Sequence, residues 1–182
     1  MKIYTKKGDK GQTGLFGGER VDKDDLRIDC NGELDEVNSS IGLMIAKLPK
    51  EHPWKQSLQT IQANIMKLMS DIANPGNKGN KKENNTLETT EMIEQWMENI
   101  NQKLGDKMNA LILPGGNEIS AYCHIIRTKI RRAERKIISL HKKNPLSDPL
   151  LAFINRLSDL FFMLALEEMH DKDITENKFK SV

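Results

Sequence analysis

Apolar positions recur at helical spacing through most of the chain and almost nowhere at strand spacing. Leu34, Val37, Ile41, Met44, Ile45 and Leu48 fall on one stripe, ended by Pro49. A second stripe, Trp54, Leu58, Ile61, Ile65, Leu68 and Ile72, has the spacing of a helix packed in a bundle and stops at Asn74-Pro75-Gly76. Residues 74–85 hold Gly, Asn and Lys with almost nothing apolar, which predicts a mobile surface loop. Thr86 is placed to cap a third helix with Leu87, Ile93, Trp96, Ile100 and Leu104 on its buried face, and Gly105 ends it. The fourth stripe runs Ile119, Cys123, Ile126, Ile130, Ala133, Ile137 and Leu140. The fifth helix is expected to start at Asp148-Pro149, with Asp as cap and Pro at the first helical position, and carries Ile154, Leu157, Phe161 and Leu164. No internal repeat and no strand alternation stand out. The pattern predicts an all-α five-helix bundle over residues 24–169, preceded by a glycine-containing loop, residues 1–23, and followed by a tail, residues 170–182.

Composition agrees with this picture. A chain of 182 residues suits one domain with a sizeable core. Aromatics are 5% and charged residues 30%, with Leu, Ile and Met dominating the apolar set, which favours packed helices over a sheet sandwich. The net charge of +2 gives no global field of the kind that marks a nucleic-acid or membrane binder, so neither partner is expected. Cys30 and Cys123 are too few for a disulfide framework and lack metal-ligand spacing, which fits a reduced compartment. The N-terminus has no apolar signal region, and no uninterrupted apolar run nears the length of about 18 residues of a membrane span. A cytoplasmic location is expected.

Charge changes the picture locally. The fourth helix holds Arg127, Lys129, Arg131, Arg132, Arg135 and Lys136, interrupted only by Glu134 among acids. Arg127 and Arg131 are four apart and share a face, an arrangement that costs a helix a few tenths of a kcal/mol unless an anion answers it. A solvated basic face with acidic neighbours is the plain alternative. The segment Thr5-Lys6-Lys7-Gly8-Asp9-Lys10-Gly11-Gln12-Thr13-Gly14 combines glycines, hydroxyls and ammonium groups, so its amides suit a phosphate nest, although its spacing is not that of a Walker A loop. Asn155 and Asp159 lie four apart on an otherwise apolar helix and need polar partners, whether neighbouring helices or a ligand. Asp35 lies off the apolar stripe of the first helix, within reach of balancing an arginine of the fourth. The four histidines show no zinc-binding spacing, and no triad or general-base pair appears. An RNA-binding module using the basic helix lacks a stacking platform, because the aromatics fall on core stripes.

Three segments taken together resemble the PduO-type ATP:corrinoid adenosyltransferases. They are Thr5 to Gly11; Gly32-Glu33-Leu34-Asp35-Glu36-Val37-Asn38-Ser39; and Arg127 to Arg135 followed by Asn155-Arg156-Leu157-Ser158-Asp159, with Leu113-Pro114-Gly115-Gly116 as a fourth match. The resemblance implies a homotrimer in which ATP binds where the N-terminal loop of one subunit meets the basic helix of its neighbour. It implies nucleotide contacts from Thr5, Lys6, Lys7, Gly8, Thr13, Gly14, Lys23, Arg131, Arg132, Glu134, Arg135 and Asn155. Arg127 is expected beside the triphosphate and paired with Asp35, these two and Arg131 serving the chemistry. The implied reaction moves the 5′-deoxyadenosyl group of ATP, with Mg²⁺, to the cobalt of a reduced corrinoid, supplied with electrons by a reductase of flavoprotein type. Leu111 stands where well-known members carry phenylalanine, so weaker exclusion of the corrinoid's lower ligand is expected, or help from Phe162. A corrinoid or nucleotide carrier or sensor on the same fold is the alternative.

Overall fold

The computed structural model describes residues 6, 8–15, 18–74, 80–105, 112–172 and 174, the side chains of 80–84 excepted. Five helices form: α1 Leu26–Lys47, α2 Trp54–Ala73, α3 Asn80–Leu104, α4 Glu118–His141 and α5 Asp148–Asp171. They close a ring in which α1 packs on α2, α2 on α3, α3 on α5, α5 on α4 and α4 back on α1. The predicted stripes point into this ring, except that Leu87, expected on the buried face of α3, is 44% exposed near the start of that helix and Trp96 is only partly buried. Leu34, Ile41, Met44, Leu58, Ile61, Ile65, Ile93, Ile100, Ile126, Phe153 and Phe161 are fully buried, and each such side chain contributes roughly 1.5–3 kcal/mol by leaving water. Trp54 of α2 meets Trp96 of α3 edge-on at 6.3 Å, helping to close the side of the ring where α2 meets α3.

Helix ends follow from local chemistry. Asp25 caps α1 by accepting from the Arg27 backbone N–H at 2.8 Å, and the helix stops just before Pro49. Asn117 caps α4 by accepting from the Ser120 N–H at 2.8 Å. Its amide nitrogen also donates to Glu168 of α5 at 2.8 Å, so one side chain starts α4 and ties it to the end of α5. The turn before it needs glycine at Gly116, where φ is +90° and a Cβ would run into the Met169 sulfur.

Several expectations are corrected. The N-terminal segment contains a small antiparallel pair, β1 Gln12–Gly14 with β2 Arg20–Asp22, in register Thr13 to Val21. Three-residue strands are too short to show alternation. Thr86 lies inside α3 and is not its cap: the helix begins at Asn80, since Lys81, Lys82 and Glu83 favour helix and let it propagate backward from the packed turns. Part of the expected mobile loop is therefore helical, while 75–79 lie outside the described residues. The cap of α5 is Ser147, which places Asp148 in the first turn. That helix is long and apolar enough to cross a membrane, at a mean hydropathy of 1.5, because polar residues interrupt it so rarely, but most of it is buried between its neighbours. It carries more buried residues than any other helix among the described residues.

Gly116→Ala is expected to destabilise the fold by about 1–2 kcal/mol, from left-handed backbone strain and crowding at Met169. Urea unfolding checks this, and Met169→Ala in the same chain should recover only the crowding part.

Candidate active site

Helix α4 is positive on two faces that meet different fates. Lys129, Arg132 and Lys136, spaced three and four apart, turn toward the acids of α1. Lys136 pairs with Asp29 at 2.5 Å, Arg132 with Glu33 at 2.5 Å and with Glu36, and Lys129 with Glu36 at 3.1 Å. Lys129 also donates to the Ser40 hydroxyl at 2.8 Å. These pairs run in opposite directions along the two helices, so α1 and α4 are antiparallel. They satisfy half of the basic run within the chain, as the plain alternative foresaw.

The other face is different. Arg127 and Arg131 line a pocket of about 260 Å³ with Ser158, Asp159, Phe162 and Met163 of α5. Among the described residues neither arginine forms an ion pair. Arg127 is half-buried, with its Nε enclosed and without a hydrogen-bond partner, and its guanidinium lies over the Phe162 ring, 5.9 Å from the centroid. Burial, and then the neighbouring Arg131 charge, push its pKa below the usual arginine value. Both causes penalise a cation left without an anion, and an anion in the pocket removes both penalties. Asp159, on the pocket wall, lies 3.7 Å from Arg156. Asn155 donates to Glu134 at 3.1 Å, linking α5 to α4 one turn further along. Arg135 is exposed and donates to the Arg131 carbonyl at 3.0 Å.

The expected Arg127–Asp35 pair is not formed within the chain. Asp35 sits on the exposed side of α1, whereas Glu33 and Glu36 face α4, and Arg127 faces α5. An offset of one residue turns a helical side chain by about 100°, which decides the matter.

The structure gathers the described part of the N-terminal segment into one hairpin. The Lys23 N–H donates to the Gly11 carbonyl at 2.8 Å, and a Cβ on Gly8 would sit 3.5 Å from the Lys23 ammonium. Thr13 and Gly14 lie on β1, and Lys6 holds a left-handed φ of 58°, a strained conformation for a non-glycine residue. Thr5, Lys7 and Leu111 lie outside the described residues. The hairpin is anchored by Arg27, which pairs with Glu19 at 3.1 Å beside the start of α1. The antiparallel seam sets that end of α1 beside the end of α4, about 15 Å along the helix from Arg131 at 1.5 Å per residue. Among the described residues no hydrogen bond or ion pair joins the hairpin to Arg127 or Arg131.

Met163 and His124 were not singled out by sequence reasoning. His124 is buried, meets the Phe162 ring edge-on at 6.2 Å, and has no partner for either ring nitrogen among the described residues. Its position one helical turn before Arg127 was the available signal.

Residues 3–168 match the family model described as cobalamin adenosyltransferase. The chain belongs to that family. The corrinoid adenosyltransferase of Bacillus subtilis is 39% identical over 91% of this chain and 85% of its own length. That of Citrobacter freundii is 34% identical over 95% and 98%. Among solved structures, a variant PduO-type ATP:corrinoid adenosyltransferase from Lactobacillus reuteri complexed with cobalamin and ATP superposes with a TM-score of 0.87 at 30% identity, covering 99% of this chain and all of that one. Another variant of that enzyme, complexed with ATP, gives 0.88 at 32%. The cobalamin adenosyltransferase bundle is thus the fold, with a pocket of uncompensated arginines on its α4 and α5 face.

Adjacent residues of this family member should separate cleanly. Arg131→Ala is expected to lower adenosyl-transfer turnover by roughly 10²–10³-fold with an unchanged melting temperature. Arg132→Ala, which loses half-exposed pairs to α1, should cost less than about 1 kcal/mol of stability. Steady-state kinetics and thermal melts on both variants check this.

Burial, followed by the Arg127 charge, holds the His124 pKa below its ordinary 6.5, and burial does the same at His52. The unfolded chain therefore takes up protons first as pH falls, so stability is lost from about pH 6.5 downward. Asp25, whose pKa Arg27 lowers, loses its contribution only below its ordinary 3.8. His124→Leu should show a smaller drop in unfolding free energy between about pH 7 and pH 5 than the parent, measured by urea titration.

Proposed function

We propose that this chain transfers the 5′-deoxyadenosyl group of ATP to the cobalt of a reduced corrinoid, releasing triphosphate. The observation that carries the reading is the half-buried Arg127, set beside Arg131 in a pocket with no ion pair to either among the described residues. A polyphosphate is the anion whose charge and several oxygens suit two guanidinium forks on one helix face. Family membership and the likeness to enzymes complexed with ATP and cobalamin support the same assignment.

In this reading the cobalt electron pair forms a bond to C5′ of ATP as the bond from C5′ to the triphosphate oxygen breaks. Charge grows on the leaving oxygens, and Arg127 and Arg131 are aimed where it grows. The chain needs no nucleophile of its own, because the corrinoid substrate supplies it. In the same reading Asn155, which donates to Glu134, orients the nucleoside, and Phe162, beneath the Arg127 guanidinium, faces the corrinoid. Among the described residues no three His, Cys, Asp or Glu side chains cluster to hold a metal. In this proposal Mg²⁺ is the ion that accompanies the phosphates of ATP.

A homotrimer completes the site in this proposal. Among the described residues nothing bonds the hairpin to Arg131 of its own chain, and in this proposal a neighbouring subunit's loop supplies Lys6, Gly8, Thr13, Gly14 and Lys23. Asp35 on its exposed face is available to answer Arg127 of another subunit. Ile125 and Ile138, 47% and 38% exposed on α4, provide apolar area for such a contact. A cytoplasmic setting, a flavoprotein reductase as electron donor, and corrinoid contact near Leu111 belong to the same proposal.

Incubation with cob(I)alamin, ATP and Mg²⁺ should yield adenosylcobalamin, followed by its absorbance spectrum, and triphosphate in equal amount. ATP binding without any adenosylcobalamin would overturn the transferase reading.

A further inference from the structure

Few contacts hold Arg127 in its pocket. Its Nε has no hydrogen-bond partner, and it forms no ion pair among the described residues. The contact that orients its guanidinium is the Phe162 ring of α5, whose centroid lies 5.9 Å from Cζ. That contact fixes a direction only as well as the ring itself is fixed, and Phe162 is only partly buried.

The ring has a firmer neighbour. His124 of α4 is buried, at 4% exposure, and meets Phe162 edge-on, with the ring centroids 6.2 Å apart and the planes inclined at 62°. His124 and Arg127 are three apart on α4, so they share one side of the helix and reach the same ring. A buried imidazole, a partly buried phenyl ring and a half-buried guanidinium thus stand in series.

Stability does not account for an imidazole at this place. Both ring nitrogens of His124 are enclosed without a hydrogen-bond partner among the described residues. A neutral imidazole has one N–H and one lone pair, and enclosing both unpaired is unfavourable compared with an apolar side chain of similar size such as leucine. What leucine lacks is a flat, rigid ring. Two aromatic rings prefer an edge-to-face or offset geometry, whereas a branched aliphatic chain sets no angle against a phenyl face. Burial, followed by the Arg127 charge, keeps the imidazole uncharged, so the contact brings no second cation against the arginine.

We propose that His124 is a positioning residue for adenosyl transfer: its ring sets the plane of Phe162, and Phe162 in turn holds the Arg127 guanidinium toward the triphosphate. The inference rests on the transferase reading above. A donor that answers charge growing on a leaving group has to be oriented in advance, and a misplacement of about 1 Å costs roughly 10²-fold in rate. His124 touches no reacting atom, so its replacement acts on turnover and leaves ATP capture largely to Arg131.

Steady-state kinetics with cob(I)alamin, ATP and Mg²⁺, together with thermal melts, are measured on the full chain and on His124→Leu, His124→Phe, Arg127→Ala and the double variant Arg127→Ala with His124→Leu. His124→Leu should melt no lower than the parent, having lost two unpaired polar atoms, yet its kcat should fall about tenfold while KM for ATP stays within about threefold. His124→Phe, which restores a ring edge, should recover most of the lost kcat. In the Arg127→Ala background, His124→Leu should cost nothing further, because the group it positions is gone. Unaltered kcat in His124→Leu, a melting temperature well below the parent's, no recovery with phenylalanine, or a loss that adds in full to that of Arg127→Ala would each overturn this inference while the transferase reading stands. A parent chain that forms no adenosylcobalamin would overturn both.

Discussion

Helix α4 carries more positive charge than its neighbours in the chain neutralise, and it carries that charge on a side chain it half-buries. Arg127 is enclosed beside Arg131 and the Phe162 ring, with its Nε unbonded among the described residues. Taken alone, that placement destabilises the chain, because desolvating a cation without a counter-charge is unfavourable. The helix tolerates it because a third face, between the other two, buries Cys123, Ile126, Ile130, Ala133, Ile137 and Leu140, several side chains' worth of hydrophobic stabilisation. Apolar packing on one face thus holds a destabilised cation in place on another, and an arriving polyphosphate removes the penalty.

The remaining features of the bundle aim that helix. The acids of α1 take up Lys129, Arg132 and Lys136 and so fix its rotation. With that seam closed, Arg127 and Arg131 fall on the face of α4 that borders α5. At the other end, Asn117 and the glycine turn at Gly116 lock the start of α4 onto the last turns of α5. The two helices that build the pocket are therefore coupled at their ends as well as along their length. A site built this way supplies position and field, which is what a reaction with an external metal nucleophile requires.

Much of this was legible beforehand. Five apolar stripes gave five helices, because burying a helix face demands the 3-4 spacing whatever the partners are. Stop signals held where backbone chemistry is strict, as before Pro49 and at Asn74. They failed where it is permissive: Thr86 has the right side chain for a cap, yet α3 runs through it from Asn80. The strands at Gln12–Gly14 and Arg20–Asp22 were invisible because pairing, rather than alternation, defines so short an element. For the site, the density of positive charge on α4 was plain. Which arginine meets which acid was not.

By itself, the sequence determined the helices, their buried faces, and the presence of an anion-seeking helix together with a glycine-bearing opening segment. These are properties of spacing and residue type within one element. The tertiary structure alone decided the division of that helix into a neutralised face and an unanswered one and the exposure of Asp35 away from Arg127. The reason is geometric: rotation of one helix against another assigns each charge its neighbour, and a step of about 100° per residue turns adjacent arginines to different partners.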